Sequence, residues 1–534
     1  MCRLAPKPLI MGRMAKSEKE WAAHPLGEPL LDLPELPGEH RVDTPGGAVH
    51  VRWEADSEVT AHGSLTYFLE FLKTSRLWEN WVRDCPLTYS SPNAPKKEEI
   101  LGTILLSVLS GHKRYAHITS MRQDRVLPEL LGIECLRSED SVRRAFARVD
   151  EGAATLWMDV HLDKTFAALL RMPWILDIDA TVKPLYGHQE EAKLGYNPAK
   201  PGRPSHVYQA FLFSSAKLVL NVDVQAGNQT ASEYAQPVLW GWLDARPKEE
   251  WPALLRGDIA HGSERMMKEA EARGIPYLFK LKRSQGVEKL IAELVARGDK
   301  TGWRDAGGRW KGVASSLRLQ GWSKERRVIV LRRKIVTVPK TLEELDPLYE
   351  QPSLPGLVIE DASGAQYEHA VLVTTWDESE VLAIAQMYRD RGDAENMFDE
   401  LKNQWGWTGF TTQDHKRSQL MARIVALIFN WWSLFTRIAT RNIHREALTT
   451  RPMFLFGIGR RTRSGNQSFL TIQSVHAKAA KIAHLLTKIS AWFKTFTLSA
   501  EQLAKDQRWP EMLRWIFRDF TAQRGRDKLM PEAG

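Results

Sequence analysis

Cysteine is scarce. The 534 residues hold three, Cys2, Cys85 and Cys135, in neither a Cys-x-x-Cys pair nor a zinc-ligand spacing. That usage argues for a reducing compartment and against structural zinc. Long apolar runs are missing as well. The most apolar stretch, Ile424 to Phe435, is flanked by Arg423 and Arg437 and contains Asn430. It falls short of the about 20 residues that cross a bilayer, so it reads as a buried helix, and no membrane is expected. A signal-peptide pattern is absent at the N-terminus, because Lys7 to Met14 is broken by charges and proline. There is no internal repeat. Charge of one sign is not extreme either: net +9 with pI ≈ 9.2, compatible with a polyanionic partner without requiring one. What remains is 43% hydrophobic residues, enough for a sizeable core and roughly two to four domains.

The densest signal lies between Tyr388 and Lys402, where the chain reads YRDRGDAENMFDELK. On a helix Glu395 and Lys402 lie about two turns apart and share a face. A carboxylate there can hold a metal ion while the ammonium grips a phosphate; the bland alternative is a solvated amphipathic helix. The helix is expected to start near Asp377 and to break at Gly392-Asp393, with Asp393 recapping the second piece. Such a break would aim Tyr388 and Arg391 at a ligand and Glu395 at metal.

Metal-dependent phosphoryl chemistry needs further carboxylates from separate elements. The run Trp174 to Thr181 is short, apolar and β-prone and carries Asp177 and Asp179, which point to one face of a strand. Buried aspartates are costly unless paired or metal-bound, so the alternative is pairing with arginines. A second apolar strand, Pro252 to Asp258, ends in Arg-Gly-Asp, and Ser263 can cap a helix to Arg273. Tyr277–Lys282 completes a strand–helix–strand unit, which places Asp258 where α/β sheets usually hold ligands. His261 nearby fits either a hydrogen-bonded structural residue or a proton carrier. Asp179 and Asp258 stand 79 positions apart, and Glu395 follows 137 later. The first gap suits a hairpin, Tyr208–Ser214 with Leu218–Gln225, and a helix at Ala231–Leu243. The second gap is too long for one helix and strand and implies an insertion.

Trp303 to Thr337 is strand-like, with turns at Ala306-Gly-Gly308 and Gly321-Trp-Ser323. Val328–Leu331 and Lys334–Thr337 are its β-rich parts. Lys324, Arg326, Arg327, Arg332, Arg333 and Lys334 crowd this stretch, opposed only by Glu325 and interspersed with Trp303, Trp310 and Trp322. Basic side chains beside aromatics suit phosphates and an unpaired base; the alternative is a basic sheet with core tryptophans. Ala370–Thr374 then resumes the core. Ahead of it all, residues 24–60 are punctuated by Pro and Gly and read as loosely ordered. Helical patterns at Tyr67–Leu72, Lys96–Ser110 and Asp140–Arg148 fit either a DNA-reading helix or a small bundle. Beyond Trp407 the chain reads as mostly helical, with a basic turn at Gly459-Arg-Arg-Thr-Arg463.

Tyr388, Arg391, Glu395 and Lys402 fit the spacing Tyr-(2)-Arg-(3)-Glu-(6)-Lys. That pattern resembles the YREK signature of the DDE transposases of bacterial insertion sequences, a resemblance that covers about residues 170–410 well and the flanks loosely. It implies an α/β fold, with a ribonuclease-H-like mixed-sheet catalytic core in the order β-β-β-α-β-α-β, a β-rich insertion and helical flanks. The implied metal ligands and catalytic acids are Asp179, just ahead of a Thr as in the family, Asp258 and Glu395, with Asp177 a rival to Asp179. The Asp258 block departs from the family at Ala260-His261, where a Gly followed by an aromatic is expected. Two divalent ions are implied, Mg²⁺ with Mn²⁺ substituting. Tyr388, Arg391 and Lys402 would touch DNA, as would the insertion's Trp303, Trp310, Trp322, Arg326, Arg327, Arg332 and Arg333. Lys200 and Arg203 of the loop Tyr196 to His206, which also looks familial, would join them.

The family further implies binding of terminal inverted repeats, cleavage of double-stranded DNA ends and their joining to target DNA. This would take place within a homodimeric synaptic complex in the bacterial cytoplasm, associated with the nucleoid. The expected layout is a loosely ordered segment 1–62, a DNA-end-binding helical region 63–168, core 169–298, insertion 299–365, core 366–410 and a helical region 411–534 for protein pairing. Other classes remain open: a nuclease of the same fold without strand transfer, or a non-catalytic DNA-binding relic.

Overall fold

Alternating or continuous apolar residues at Ile175–Pro184, Leu254–Gly257 and Tyr277–Lys280 form three strands whose side chains pack on both faces of one sheet. In the computed structural model, residues 38–54, 57–197, 200–229, 231–335, 357–360, 364–376, 380–440, 444–474, 478–499 and 507–524 are described. Among them a ten-stranded mixed sheet runs Leu218–Ala226, Ser205–Phe213, Ile175–Pro184, Leu254–Gly257, Tyr277–Lys280, Gln366–Thr374, Arg326–Lys334, Trp310–Leu317, Arg304–Asp305. Leu357–Glu360 pairs beside Gln366–Thr374. Only the neighbours of Leu254–Gly257 are parallel to it; every other pairing is antiparallel. The strand–helix–strand unit around Glu264–Arg273 accounts for one of these parallel steps. The strands of the 299–365 segment therefore continue the central sheet rather than building one of their own.

The two faces are covered differently. On one, Leu176, Leu255, Phe279, Val328 and Val371 pack in the main core with Met266, Met267 and Ala270 of helix Glu264–Arg273. On the other, Ile175, Leu254, Leu278, Ile329 and Leu372 form a smaller core with Val381, Ile384 and Ala385 of helix Val381–Arg389. Each such aliphatic side chain contributes roughly 1.5–3 kcal/mol on full burial. The smaller core stops short of the ends of the three central strands, where the same face carries Asp177, Asp179, Arg256, Asp258 and Lys280 instead.

The apolar run Ile424 to Phe435 lies within helix His415–Thr440, buried from Ser418 to Arg437. It covers the sheet's edge strand. The Asn430 side chain accepts from Val219 N at 2.8 Å and donates to Val219 O at 2.7 Å, which satisfies backbone groups that an edge would leave open. Among the described residues no helix is long and apolar enough to cross a membrane.

The predicted helices of the 63–168 region are present as Leu65–Ser75, Lys97–Leu109 and Glu139–Arg148, the last capped by Ser138. Two readings of the flanks need correction. Within the segment read as loose, His40–Thr44 and Gly47–Val51 form a hairpin and Glu58–Thr60 is a strand, while residues 1–37, 55 and 56 of it lie outside the described residues. Nor is Gly459 to Arg463 a turn between helices. Gly459–Ser464 pairs with Gln467–Ile472 and with Glu58–Thr60 in a three-stranded sheet. A Cβ at Gly459 would lie 3.2 Å from the Gly63 Cα, a backbone approach that helical periodicity could not foretell. The predicted helix start at Asp377 and the predicted strand end at Val336–Thr337 lie outside the described residues.

Candidate active site

Parallel pairing brings two of the three expected acids together. Asp177 is in register with Arg256 and Ile178 with Gly257, so Asp179 and Asp258 are the next pair along neighbouring strands. Asp258 leaves its strand and is held at once. Its Oδ1 accepts from Ala260 N at 2.9 Å and from His261 Nδ1 at 2.9 Å. The chain can fold back this tightly because position 257 is glycine; a Cβ there would meet the His261 Cβ at 2.7 Å. His261 is buried, and its Nε2 has no hydrogen-bond partner among the described residues. Direct attachment to Asp258 makes it a positioning group for that carboxylate.

The third acid comes from the signature segment. Helix Val381–Arg389 ends, Asp390 and Arg391 turn, and helix Gly392–Gln404 begins. A break thus exists, but at Asp390–Arg391, two residues ahead of the expected Gly392-Asp393, and its consequence differs from the expectation. Arg391 does not face outward: it is buried, with Nη1 donating to Asp179 Oδ2 at 2.6 Å and Nη2 to Glu395 Oε1 at 2.6 Å. One guanidinium thereby spans two acids 216 positions apart in sequence, using the i,i+4 spacing on its own helix for one of them. Asp393 does not recap the helix; it accepts from Lys217 Nζ at 2.8 Å. Tyr388 is half-buried within electrostatic reach of Arg391, Asp258 and Glu395. Lys402 is half-buried and has no ion-pair partner among the described residues.

The rival Asp177 is accounted for separately. It is buried and bound in bidentate fashion by Arg256, from Nε to Oδ1 at 2.7 Å and Nη2 to Oδ2 at 2.8 Å. Asp177 is thus tied to a neighbouring strand, whereas Asp179, whose Oδ1 accepts from Ala180 N at 2.8 Å, is tied through Arg391 to the signature segment.

Electrostatics separate the acids. Burial pushes the Asp179 carboxyl above the usual carboxylate range, Arg391 pulling the other way and Asp258 adding to the push. Burial acts likewise on Asp258, but His261, Arg391 and the Ala260 amide together outweigh it and hold Asp258 below that range. Burial raises the Tyr388 hydroxyl to about 12. Lys280, at the strand end beside Asp258, escaped notice in the sequence; burial lowers its ammonium, with Glu368, Arg391, Asp258 and Glu395 around it. Three carboxylates are the hard oxygen donors that Mg²⁺ takes. Among the described residues, however, no three His, Cys, Asp or Glu side chains lie close enough to hold one ion together; Arg391 bridges Asp179 and Glu395 instead.

The basic insertion departs from expectation. Arg326 is buried and paired with Glu264 and Glu271, below Trp322, which is buried too. Neither is available to DNA. Arg327 donates to the Trp376 carbonyl at 2.9 Å. Arg332 lies between Trp303 at 4.1 Å and Tyr367 at 4.8 Å, and Arg333 pairs with Glu368 at 2.6 Å while covering Trp310 at 4.9 Å. The three tryptophans are thus capped by arginines of the same sheet. In the 185–204 loop, by contrast, Lys200 and Arg203 are exposed, Arg203 lies 4.4 Å over Tyr186, and Tyr196 is 82% exposed.

A sequence profile described as "Transposase DDE domain group 1" matches residues 93–493. No curated protein is significantly similar to the chain. Among solved structures, a cryo-EM structure of the piggyBac transposase synaptic complex with hairpin DNA is similar at 13% identity and a TM-score of 0.37, over 90% of this chain and 89% of that one.

Proposed function

The chain belongs to the transposases with a DDE domain of group 1, and from that premise we propose that Asp179, Asp258 and Glu395 are its three catalytic acids. The observation that carries the reading is their convergence from three segments on one guanidinium and one histidine. The protein would bind the terminal inverted repeats of an insertion sequence, cut the ends and join them to target DNA, as a homodimer pairing two ends. The YREK spacing supports the bacterial branch, with action at the nucleoid, and the mixed sheet with parallel strands at its centre supports a ribonuclease-H-like core.

The same three carboxylates would hold divalent ions, Mg²⁺ or Mn²⁺, two per site. Bound there, such ions supply Lewis-acid charge to the attacking and leaving oxygens of an in-line displacement. The chain's own groups do the rest. His261 fixes the Asp258 carboxylate toward the site. Arg391 offsets the repulsion between Asp179 and Glu395 and presents a cation beside the reacting phosphate. Lys280 and Lys402 are further ammonium groups that bond to no acid among the described residues and could take phosphate oxygens. Tyr388, uncharged at every working pH, can donate to a DNA oxygen without repelling it. Lys200 and Arg203 would contact the duplex flank, and Trp303, Trp310, Arg327, Arg332 and Arg333 only where the sheet's own pairings open.

The test is end cleavage. Purified protein with its own flanking DNA ends and Mg²⁺ or Mn²⁺ should nick and join, while Asp179→Ala, Asp258→Ala and Glu395→Ala should not. Wild-type protein that leaves DNA intact, or a fully active Glu395→Ala, defeats the reading. Cutting without joining would favour a nuclease.

A further inference from the structure

The buried pair Asp177–Arg256 takes no part in the chemistry above, yet it touches all three segments that do. Asp177 precedes Asp179 by two residues on the same strand face. Arg256 precedes Asp258 by two on the neighbouring strand. Arg256 also has a third bond, from Nη1 to the carbonyl of Met387, 131 residues away and next to Tyr388.

That carbonyl is not an arbitrary acceptor. Were helix Val381–Arg389 to continue, Met387 O would accept from Arg391 N. It does not: Asp390 N still bonds to Gln386 O four residues back at 2.9 Å, but Arg391 N bonds to Tyr388 O three residues back at 3.1 Å. The helix break therefore orphans Met387 O in a half-buried place, and an orphaned carbonyl needs a donor. Arg256 provides it. The guanidinium is thus bound to the point at which the chain turns, and the turn is what directs Arg391 to Asp179 and Glu395.

A buried ion pair contributes little stability compared with apolar side chains of the same volume, so its presence at this spot calls for a geometric reason. We propose that Arg256, held by Asp177, is a positioning residue. It fixes the break at Asp390–Arg391 and so sets Tyr388, Arg391 and Glu395 against Asp179 and Asp258. The proposal rests on the catalytic reading of those residues.

Two variants test it. Arg256→Lys keeps a charge for Asp177 but lacks the planar fork that serves carboxylate and carbonyl at once. The double variant Asp177→Leu/Arg256→Met removes the ion pair and leaves no unpaired charge. Each is measured for urea stability, for end-cleavage kcat and KM in Mg²⁺, and for hydrogen exchange of the amides from Tyr388 to Glu395. A positioning role gives a double variant as stable as the wild type with KM within about threefold, a kcat at least about 100-fold lower, and exchange at least about tenfold faster in that segment. Arg256→Lys should show the same split, more weakly. Wild-type kcat with unchanged exchange in either folded variant overturns the proposal. Should the wild type cut no DNA, the catalytic reading fails, and exchange alone still decides whether Arg256 holds the turn.

Discussion

Two charge-rich regions share one sheet, and they treat charge in opposite ways. In the insertion, arginines from Arg326–Lys334 find partners on adjacent strands and the helix beneath: Glu264, Glu271, Glu368 and the faces of Trp303, Trp310 and Trp322. At the ends of the central strands, three acids from distant segments meet a single shared arginine and one histidine. The first region is charge satisfied within itself. The second is charge drawn together from three distant segments. Basic density along a sequence is therefore a weak guide to free cations, whereas acids that converge from distant segments with perturbed titration mark a candidate functional place.

That contrast can be broken most directly by activity. Asp258→Asn should lower end cleavage by at least about 1,000-fold, since an acid that supports transition-state charge is lost. Arg333→Gln, whose charge is already paired, should stay within about tenfold of wild type. Comparable losses in a single-turnover assay would erase the distinction.

Stability should invert the ranking. Arg326→Met takes the buried shared cation from Glu264 and Glu271, which keep Ser323, Tyr277 and Lys324, and should cost about 1.5–3 kcal/mol in urea denaturation. Arg333, whose side chain is 42% exposed, should cost about 1 kcal/mol or less when changed to Met.

A buried cation with no acid bonded to it among the described residues sharpens the point. Lys183 shares its strand face with Asp179 and, among the described residues, donates to Gly409 O at 3.2 Å and Tyr208 Oη at 3.5 Å. Burial lowers its ammonium from 10.5 to about 8. Between those values the unfolded chain binds more protons than the folded one, so stability rises with pH and the cost of charging the buried amine is fully felt below about 8. The span is roughly 3 kcal/mol. Lys183→Met should flatten that rise when denaturation is compared at pH 7.5 and about 10; an unchanged slope shows the amine is not the cause.

The smallest expected effect concerns DNA affinity. Lys200→Ala and Arg203→Ala should each weaken binding for any DNA sequence and reduce the slope of log K against log salt by about 0.9. Arg326→Met should leave that slope alone.

Several features were legible early. The apolar strands that carry Asp179 and lead into Asp258, the Ser263 cap and the turn glycines of the insertion all follow from local preference. Others were hidden. Nothing in Arg-Gly-Asp258 discloses that Arg256 faces Asp177, because that needs a parallel register between strands far apart in sequence. The inward turn of Arg391 depends on a helix carbonyl captured by another strand. The strand at Gly459–Ser464 forms because Glu58–Thr60 offers an edge, not because of its own composition.

The sequence by itself determined the central strands and helices and the faces on which their charges lie, since side-chain period and turn chemistry are local. Only the tertiary structure decided which charges meet. Contacts such as Arg391 to Asp179, across 212 residues, depend on strand order, register and a single broken helical turn. Charges are paired off in one region and gathered in the other because burying a charge is costly unless it finds a partner, and the fold chooses the partner.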